Sequence, residues 1–179
     1  MVVQDIIDKY YLPNSPLWTI LVEHSKCVRD NALEVVSKHP ELNANVEFIA
    51  EAAMLHDIGI YLTNAPDLHC SGKLPYICHG YLGREILEKE GLFKHALVCE
   101  RHTGTGLSID EIKASNLPIP HRDMRPISIE EQIICFADKF YSKSGDLSKA
   151  KSLDKIRNSM LKHGQVQLER FNHWCEMFL

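Results

Sequence analysis

A chain of 179 residues with 45% hydrophobic and 25% charged content is sized for one globular domain and excludes global disorder. At this length a domain buries roughly 70% of its unfolded surface, so no disulfide or metal staple is required for folding. The net charge of -4 argues against a nucleic-acid coat protein, because a phosphate backbone rewards a basic surface, but it leaves room for a local basic pocket.

In chain order, residues 4–10 read as a short amphipathic helix that Pro13 stops. Asn14-Ser15-Pro16 is an N-cap followed by proline at the first helical position, and it opens a long helix over 16–38. Ile20, Leu21, Val28, Leu33 and Val36 recur there at roughly helical spacing, and His24 lies on or beside that stripe. Asn43 or Asn45 caps the next helix, 46–57, which is apolar on nearly every face and therefore central; Gly59 ends it. Residues 61–78 form a long connection with two prolines and a glycine, the kind of segment that usually carries function. Helices follow over 79–90, with Gly91 as the stop, and 93–102, with Thr103-Gly104-Thr105-Gly106 as the break. Ser108 to Glu111 and Ser128 to Glu131 read as capping boxes that open two more helices, on either side of a proline-rich stretch at 116–126. Gly145 interrupts, and Ser152 or Asp154 starts a last helix reaching Trp174. No run alternates like a strand and no hairpin signal is present, so the expected fold is all-α, a single-domain helical bundle.

The six cysteines form no CxxC pair. The first residues lack the basic and apolar stretches of a signal peptide, and no segment has the apolar length to span a bilayer. A cytoplasmic location with reduced, mostly buried thiols is the expectation. His69-Cys70 and Cys78-His79 hint at zinc, but their spacing matches no zinc knuckle.

The chemistry centres on His56-Asp57-Ile58-Gly59. A carboxylate at the C-terminal end of an apolar helix meets the negative end of the helix dipole and a dry core. A cation answers both problems. A nearby arginine answers them as well, and Arg29 and Arg101 are available. His24, His79, His102 and Asp138 each have an ordinary structural reading: a core histidine, two helix-end histidines, and an aspartate paired with Lys139 or Lys143. Their joint occurrence at helix ends or on apolar faces of one chain is what points to a shared site.

In that order, His24, His56-Asp57 and Asp138 resemble the HD-domain metal-dependent phosphohydrolases, and His56-Asp57-Ile58-Gly59 is similar to the signature of their His-Asp-Ile-Gly subgroup. His79-Gly80-Tyr81-Leu82-Gly83 and His102-Thr103-Gly104 resemble the helices that supply further histidines in members with two metals. The resemblance spans about residues 16–141. It implies one domain over 1–179, with a helical core at about 16–142 and a C-terminal helical extension at 146–179. It also implies one metal on His24, His56, Asp57 and Asp138, and a second on His79 and His102, with Asp57 bridging. Imidazole with carboxylate suits iron, manganese, cobalt or zinc. The implied activity is hydrolysis of a phosphate ester or phosphoanhydride in a small, nucleotide-like substrate, with Asp57, His79 and His102 at the reacting centre. A mononuclear nucleotidase and a non-catalytic signalling module on the same scaffold are the alternatives. A small phosphorylated molecule is the expected partner, with no membrane and no nucleic acid.

Phosphate also needs donors. Lys139, Arg122 and Arg101 are the expected contacts, while Lys143 and Arg125 read equally as solvated charges. The Thr103–Gly106 turn offers either backbone N–H groups for an anion or a plain helix stop. His121-Arg122-Asp123 echoes the catalytic loop of protein kinases, but the downstream asparagine and a glycine-rich phosphate loop are both missing.

Overall fold

The structure is a computed structural model that describes residues 3–179. Among them it is all-helical apart from one minimal ribbon. The helices are α1 (Val3–Tyr10), α2 (Pro16–Lys38), α3 (Val46–Leu55), α4 (His79–Lys89), α5 (Phe93–Arg101), α6 (Ile109–Ala114), α7 (Ile129–Asp138), α8 (Leu153–His163) and α9 (Gln165–Phe178). Five helix starts follow from side-chain caps. Ser15, Asn45, Ser108, Ser128 and Ser152 each accept the backbone N–H three residues on, and Pro16 occupies the first turn of α2. Ser108 and Glu111 form a reciprocal box. Ser128 forms only half of one: it accepts from Glu131 N, but the Glu131 carboxylate turns to Ile127 N and Arg101.

Two further expectations change. The C-terminal segment is two helices, because Gly164 adopts φ +135, a conformation that L side chains rarely reach, and folds α9 back on α8. The connection after Gly59 contains two-residue strands β1 (Asn64–Ala65) and β2 (Cys70–Ser71), paired antiparallel with Ala65 opposite Cys70. Two residues are too few for alternation to show in sequence.

Apolar packing falls into two main clusters that α2 runs between. Its first half places Leu21 and Val22 with Ile7, Tyr11, Leu55, Ile58 and Leu87. Its second half places Val28, Ala32, Val35 and Val36 with Ile49, Ile133, Phe136, Phe171 and Trp174. His24 and Ser25 occupy the step between the two stripes, fully buried. Phe136 stacks on Phe171 with ring centroids 5.6 Å apart, which ties α7 to α9.

Three glycines bring the central elements into backbone contact. A Cβ on Gly59 would lie 2.2 Å from His79 O and 2.5 Å from Gly83 N. One on Gly83 would lie 2.1 Å from Cys99 Sγ, and one on Gly80 would lie 3.0 Å from Cys99 O. Gly59 has φ -85, so the glycine in His-Asp-Ile-Gly is there for close approach and not for a left-handed turn.

Candidate metal centre

Five elements each deliver one or two polar side chains to the seam between the apolar clusters. His24 comes from the middle of α2, and His56 and Asp57 from the turn closing α3. His79 opens α4, His102 follows α5, and Asp138 ends α7. All six are buried. Asp57 divides its carboxylate between two groups. Its Oδ2 lies 3.3 Å from His24 Nε2 and 3.2 Å from His56 Nε2. Its Oδ1 lies 3.5 Å from His79 Nε2 and 3.3 Å from His102 Nε2. Asp138 Oδ1 closes the first group, 3.0 Å from His24 Nε2 and 3.5 Å from His56 Nε2. His24, His56, Asp57 and Asp138 thus offer ligand atoms within 4.8 Å of one another, as do Asp57, His79 and His102.

The local backbone aims these groups. His56, His79 and His102 each place Nδ1 at 2.7 Å from the carbonyl three residues back, on Ala53, Tyr76 and Cys99. A carbonyl only accepts, so Nδ1 carries the hydrogen in all three, and Nε2 presents a lone pair whenever the ring is neutral. His24 differs, since its Nδ1 has no partner. The turn that carries His56 and Asp57 is pinned from outside. The Cys99 thiol donates to His56 O at 2.8 Å, and the Tyr11 hydroxyl donates to Ile58 O at 2.7 Å. Carbonyls at the end of α3 thereby find partners without water.

Electrostatics then decides what the arrangement can hold. Burial and the neighbouring His102 bring His79 down to about 3, and burial lowers His102, so both rings are neutral at pH 7. Their Nε2 atoms face each other at 3.1 Å and both face Asp57 Oδ1. That is three acceptors converging without a proton. Burial alone would raise the carboxyl of Asp57, but Lys143 and His56 beside it hold it well below the usual range. Asp138 is likewise held down against burial by Lys139 and Lys143. Burial lowers the pKa of His56, yet Asp57 and Asp138 carry it up to about 9. Asp57 Oδ1 and His56 Nε2 are nevertheless buried without a directed hydrogen bond, and Asp57 Oδ2 has the Lys143 ammonium, 2.6 Å away, as its one cationic partner among the described residues. Groups of this kind are rare in folded proteins, and a bound ion is one of the standard explanations. The donor set fits divalent transition metals: neutral imidazole nitrogen and carboxylate oxygen, at mutual distances a cation can span.

The cations named from sequence fare differently. Neither Arg29 nor Arg101 reaches Asp57: Arg29 pairs with Asp30, and Arg101 with Glu131 at 3.0 Å. Arg122 pairs with Glu100, its Nε 2.7 Å from the carboxylate. Neither Arg101 nor Arg122 lines the cavity beside the histidine cluster. Lys139 is at the site, its Nζ 2.8 Å from Asp138 Oδ2 and 3.0 Å from His102 O. Lys143 is the residue that sequence reading undervalued. It is not a solvated charge; its Nζ lies 2.6 Å from Asp57 Oδ2. It sits past the end of α7, which closes at Asp138. Arg125 is exposed and bonds Asp123, as a surface charge does. The Thr103–Gly106 turn has no free N–H at Thr105, which donates to Gln167 Oε1 at 2.7 Å; it is a helix stop held by α9. Cys70 and Cys78 take no part in any metal-ligand group among the described residues.

A cavity of about 500 Å³ opens beside the cluster, with Asp138, Lys139, Lys143 and Tyr76 on its inner side. The His/Asp centre is therefore adjacent to space for a small molecule.

An all-helical fold, a paired His/Asp centre at its middle and an adjoining cavity define a helical domain with residues able to hold a metal. The chain matches the HD domain family over residues 21–142 and belongs to it. Among curated proteins it is 36% identical over 121 residues to an uncharacterized protein of Methanocaldococcus jannaschii, covering 66% of this chain and 64% of that protein. It is 28% identical over 154 residues to a tRNA (cytidine(56)-2'-O)-methyltransferase of Picrophilus torridus. It is 26% identical over 153 residues to the protein of the same name in Thermoplasma volcanium. Those two matches cover 86% and 85% of this chain but only 40% of each methyltransferase. No solved structure gives a significant match. Among the described residues no helix is long and apolar enough to cross a membrane.

Proposed function

We propose that this HD domain is a metal-dependent phosphohydrolase of the His-Asp-Ile-Gly type, acting on a phosphate ester or phosphoanhydride of a small nucleotide-like molecule. The observation that carries the reading is the divided carboxylate of Asp57. One oxygen faces His24 and His56 and is ion-paired with Lys143, while the other faces His79 and His102 with no directed hydrogen bond. Two divalent ions are the simplest occupants, one held by His24, His56, Asp57 and Asp138 and the other by Asp57, His79 and His102. When bound, such ions supply an acidified water as nucleophile at neutral pH and neutralise phosphate oxygens.

The chain's own residues do the remainder. Asp57 couples the two halves of the site, so that a change in one is felt in the other. His79 and His102 stay neutral and keep their Nε2 lone pairs aimed inward, because their Nδ1 hydrogens are committed to Tyr76 O and Cys99 O. Lys139 and Lys143 flank the carboxylates on the inner side of the cavity and supply positive charge toward a phosphate that enters. The burial of the ligands keeps water other than the reacting one away.

The methyltransferase name of two relatives enters only at the level of substrates to screen. Methyl transfer gives no reason for six converging imidazole and carboxylate groups, whereas phosphate hydrolysis does. RNA-terminal and cyclic phosphates therefore join mononucleotides, dinucleotides and nucleoside polyphosphates in the panel. The test strips the protein with chelator, restores it with Mn, Fe(II), Co or Zn, and measures phosphate release alongside metal content. Metal-restored hydrolysis of at least one compound is expected. Tight metal binding without turnover of any compound would leave the non-catalytic alternative standing.

A further inference from the structure

The His/Asp ligands and Lys139 all lie inside the family match at residues 21–142, but much of the cavity beside them does not. Lys143, Ser144, Lys151, Lys155 and Ser159 line it from the segment that follows, on the loop into α8 and on α8 itself. Four lysines converge on this space, Lys139, Lys143, Lys151 and Lys155, against a single lining carboxylate, Asp138. The chain as a whole carries -4, so the concentration of positive charge is local.

The two inner lysines have carboxylate partners, Asp138 and Asp57. The two outer ones have none among the described residues. Lys151 Nζ instead donates to Tyr141 O at 2.8 Å, and burial, with Lys139 and Lys143 close by, brings its pKa below the ordinary lysine value against the opposing pull of Asp138. The acids nearest in sequence point elsewhere: Asp146 accepts from Ser148 at 2.7 Å, and Asp154 faces Arg157. Like charges gathered without counter-ions destabilise a fold, and a bound anion relieves that cost. The rest of the lining includes apolar and aromatic side chains, Leu68, Tyr76, Tyr141, Ile156 and Met160, as suits a base or other flat group.

We propose that Lys151 and Lys155, with Ser144 and Ser159, form a subsite for a second anionic group, so that the substrate carries a phosphoryl group beyond the one attacked. This rests on the phosphohydrolase reading for the inner half of the cavity. It assigns substrate choice to the segment after residue 142, which the family match does not reach.

The test is calorimetric binding to the metal-loaded full chain at fixed free metal, with two probes that cannot be hydrolysed: orthophosphate and methylenediphosphonate. The wild type is expected to favour the diphosphonate at least tenfold. Lys151→Gln/Lys155→Gln is expected to lose most of that preference, while Lys162→Gln, an exposed change on α8 outside the cavity, retains it. Lys155→Gln alone alters an exposed side chain and keeps the fold; it is expected to lower the preference about threefold or more. An equal preference in wild type and double variant, or no preference in the wild type, overturns the subsite. A preference that falls in the double variant of a protein that hydrolyses no phosphate compound sinks the hydrolase reading and keeps the subsite. Metal-dependent turnover with an unmoved preference does the reverse.

Discussion

Asp57→Asn isolates the residue on which both ligand groups depend. The change preserves size and removes the charge shared by the His24/His56/Asp138 and His79/His102 sides. A metal present at a hundred times its dissociation constant stabilises the wild type by about 2.7 kcal/mol. For a domain of this size, each kcal/mol moves the melting temperature by about 2–4 °C. The wild type should therefore melt roughly 5–11 °C higher with Mn or Co than in chelator. If losing the shared carboxylate weakens metal binding about a hundredfold, the same metal concentration gives only about 0.4 kcal/mol, a shift of roughly 1–2 °C. In chelator the variant should keep the wild-type helical circular dichroism, because Lys143, on the loop after α7, can turn to the cavity when its partner is neutral. Differential scanning calorimetry with and without metal checks both points. A variant that retains the full metal shift refutes the bridging role. A variant unfolded in chelator shows instead that Asp57 serves the fold as the ion-pair partner of Lys143.

His79→Gln should lower metal content by about one equivalent in elemental analysis while His24, His56, Asp57 and Asp138 keep theirs; unchanged stoichiometry would reject the second position. Gly59→Ala should cost about 3 kcal/mol in urea unfolding, since its Cβ would meet backbone atoms of α4 at 2.2 and 2.5 Å; a loss under about 0.5 kcal/mol would mean that α4 yields freely. Burial would raise the carboxyl of Glu111, yet hydrogen bonds from Arg170, Ser108 and Gln167 bring it to about 2. A folded value below the unfolded one stabilises above pH 4.5 and loses that stabilisation as pH falls from 4.5 toward 2. Glu111→Gln should therefore flatten acid unfolding in that window by about 1 kcal/mol, a figure discounted for the partly exposed pair. Identical acid profiles for variant and wild type would remove the argument.

Four of the six converging positions were legible in sequence because local grammar marks them. Helix ends at Leu55, Arg101 and Asp138 are set by apolar runs and breakers, and His56, Asp57, His102 and Asp138 lie at or just beyond those ends, whereas His24 lies within α2 and His79 opens α4. Their convergence was implied only by family resemblance. Periodicity places a residue on a face but does not choose the partner helix. The cations were harder for the same reason. Arg101 and Arg122 looked available until Glu131 and Glu100, 30 and 22 positions away, claimed them. Lys143 lies beyond the last turn of α7, where no repeat predicts direction, and so its approach to Asp57 could not be read. The break at Gly164 was hidden inside an otherwise helical run, as one glycine is tolerated in many helices.

The missing side chains at Gly59, Gly80 and Gly83 have a bearing on evolution as well as on packing. Main chain rests on main chain there, so the offset between the His56/Asp57 turn and the His79 and His102 helix ends is fixed by peptide geometry. Neighbouring apolar residues can drift in size without altering it. On the proposed reading, a lineage is thus free to rebuild the basic cavity wall after residue 142 while the His/Asp centre keeps its dimensions.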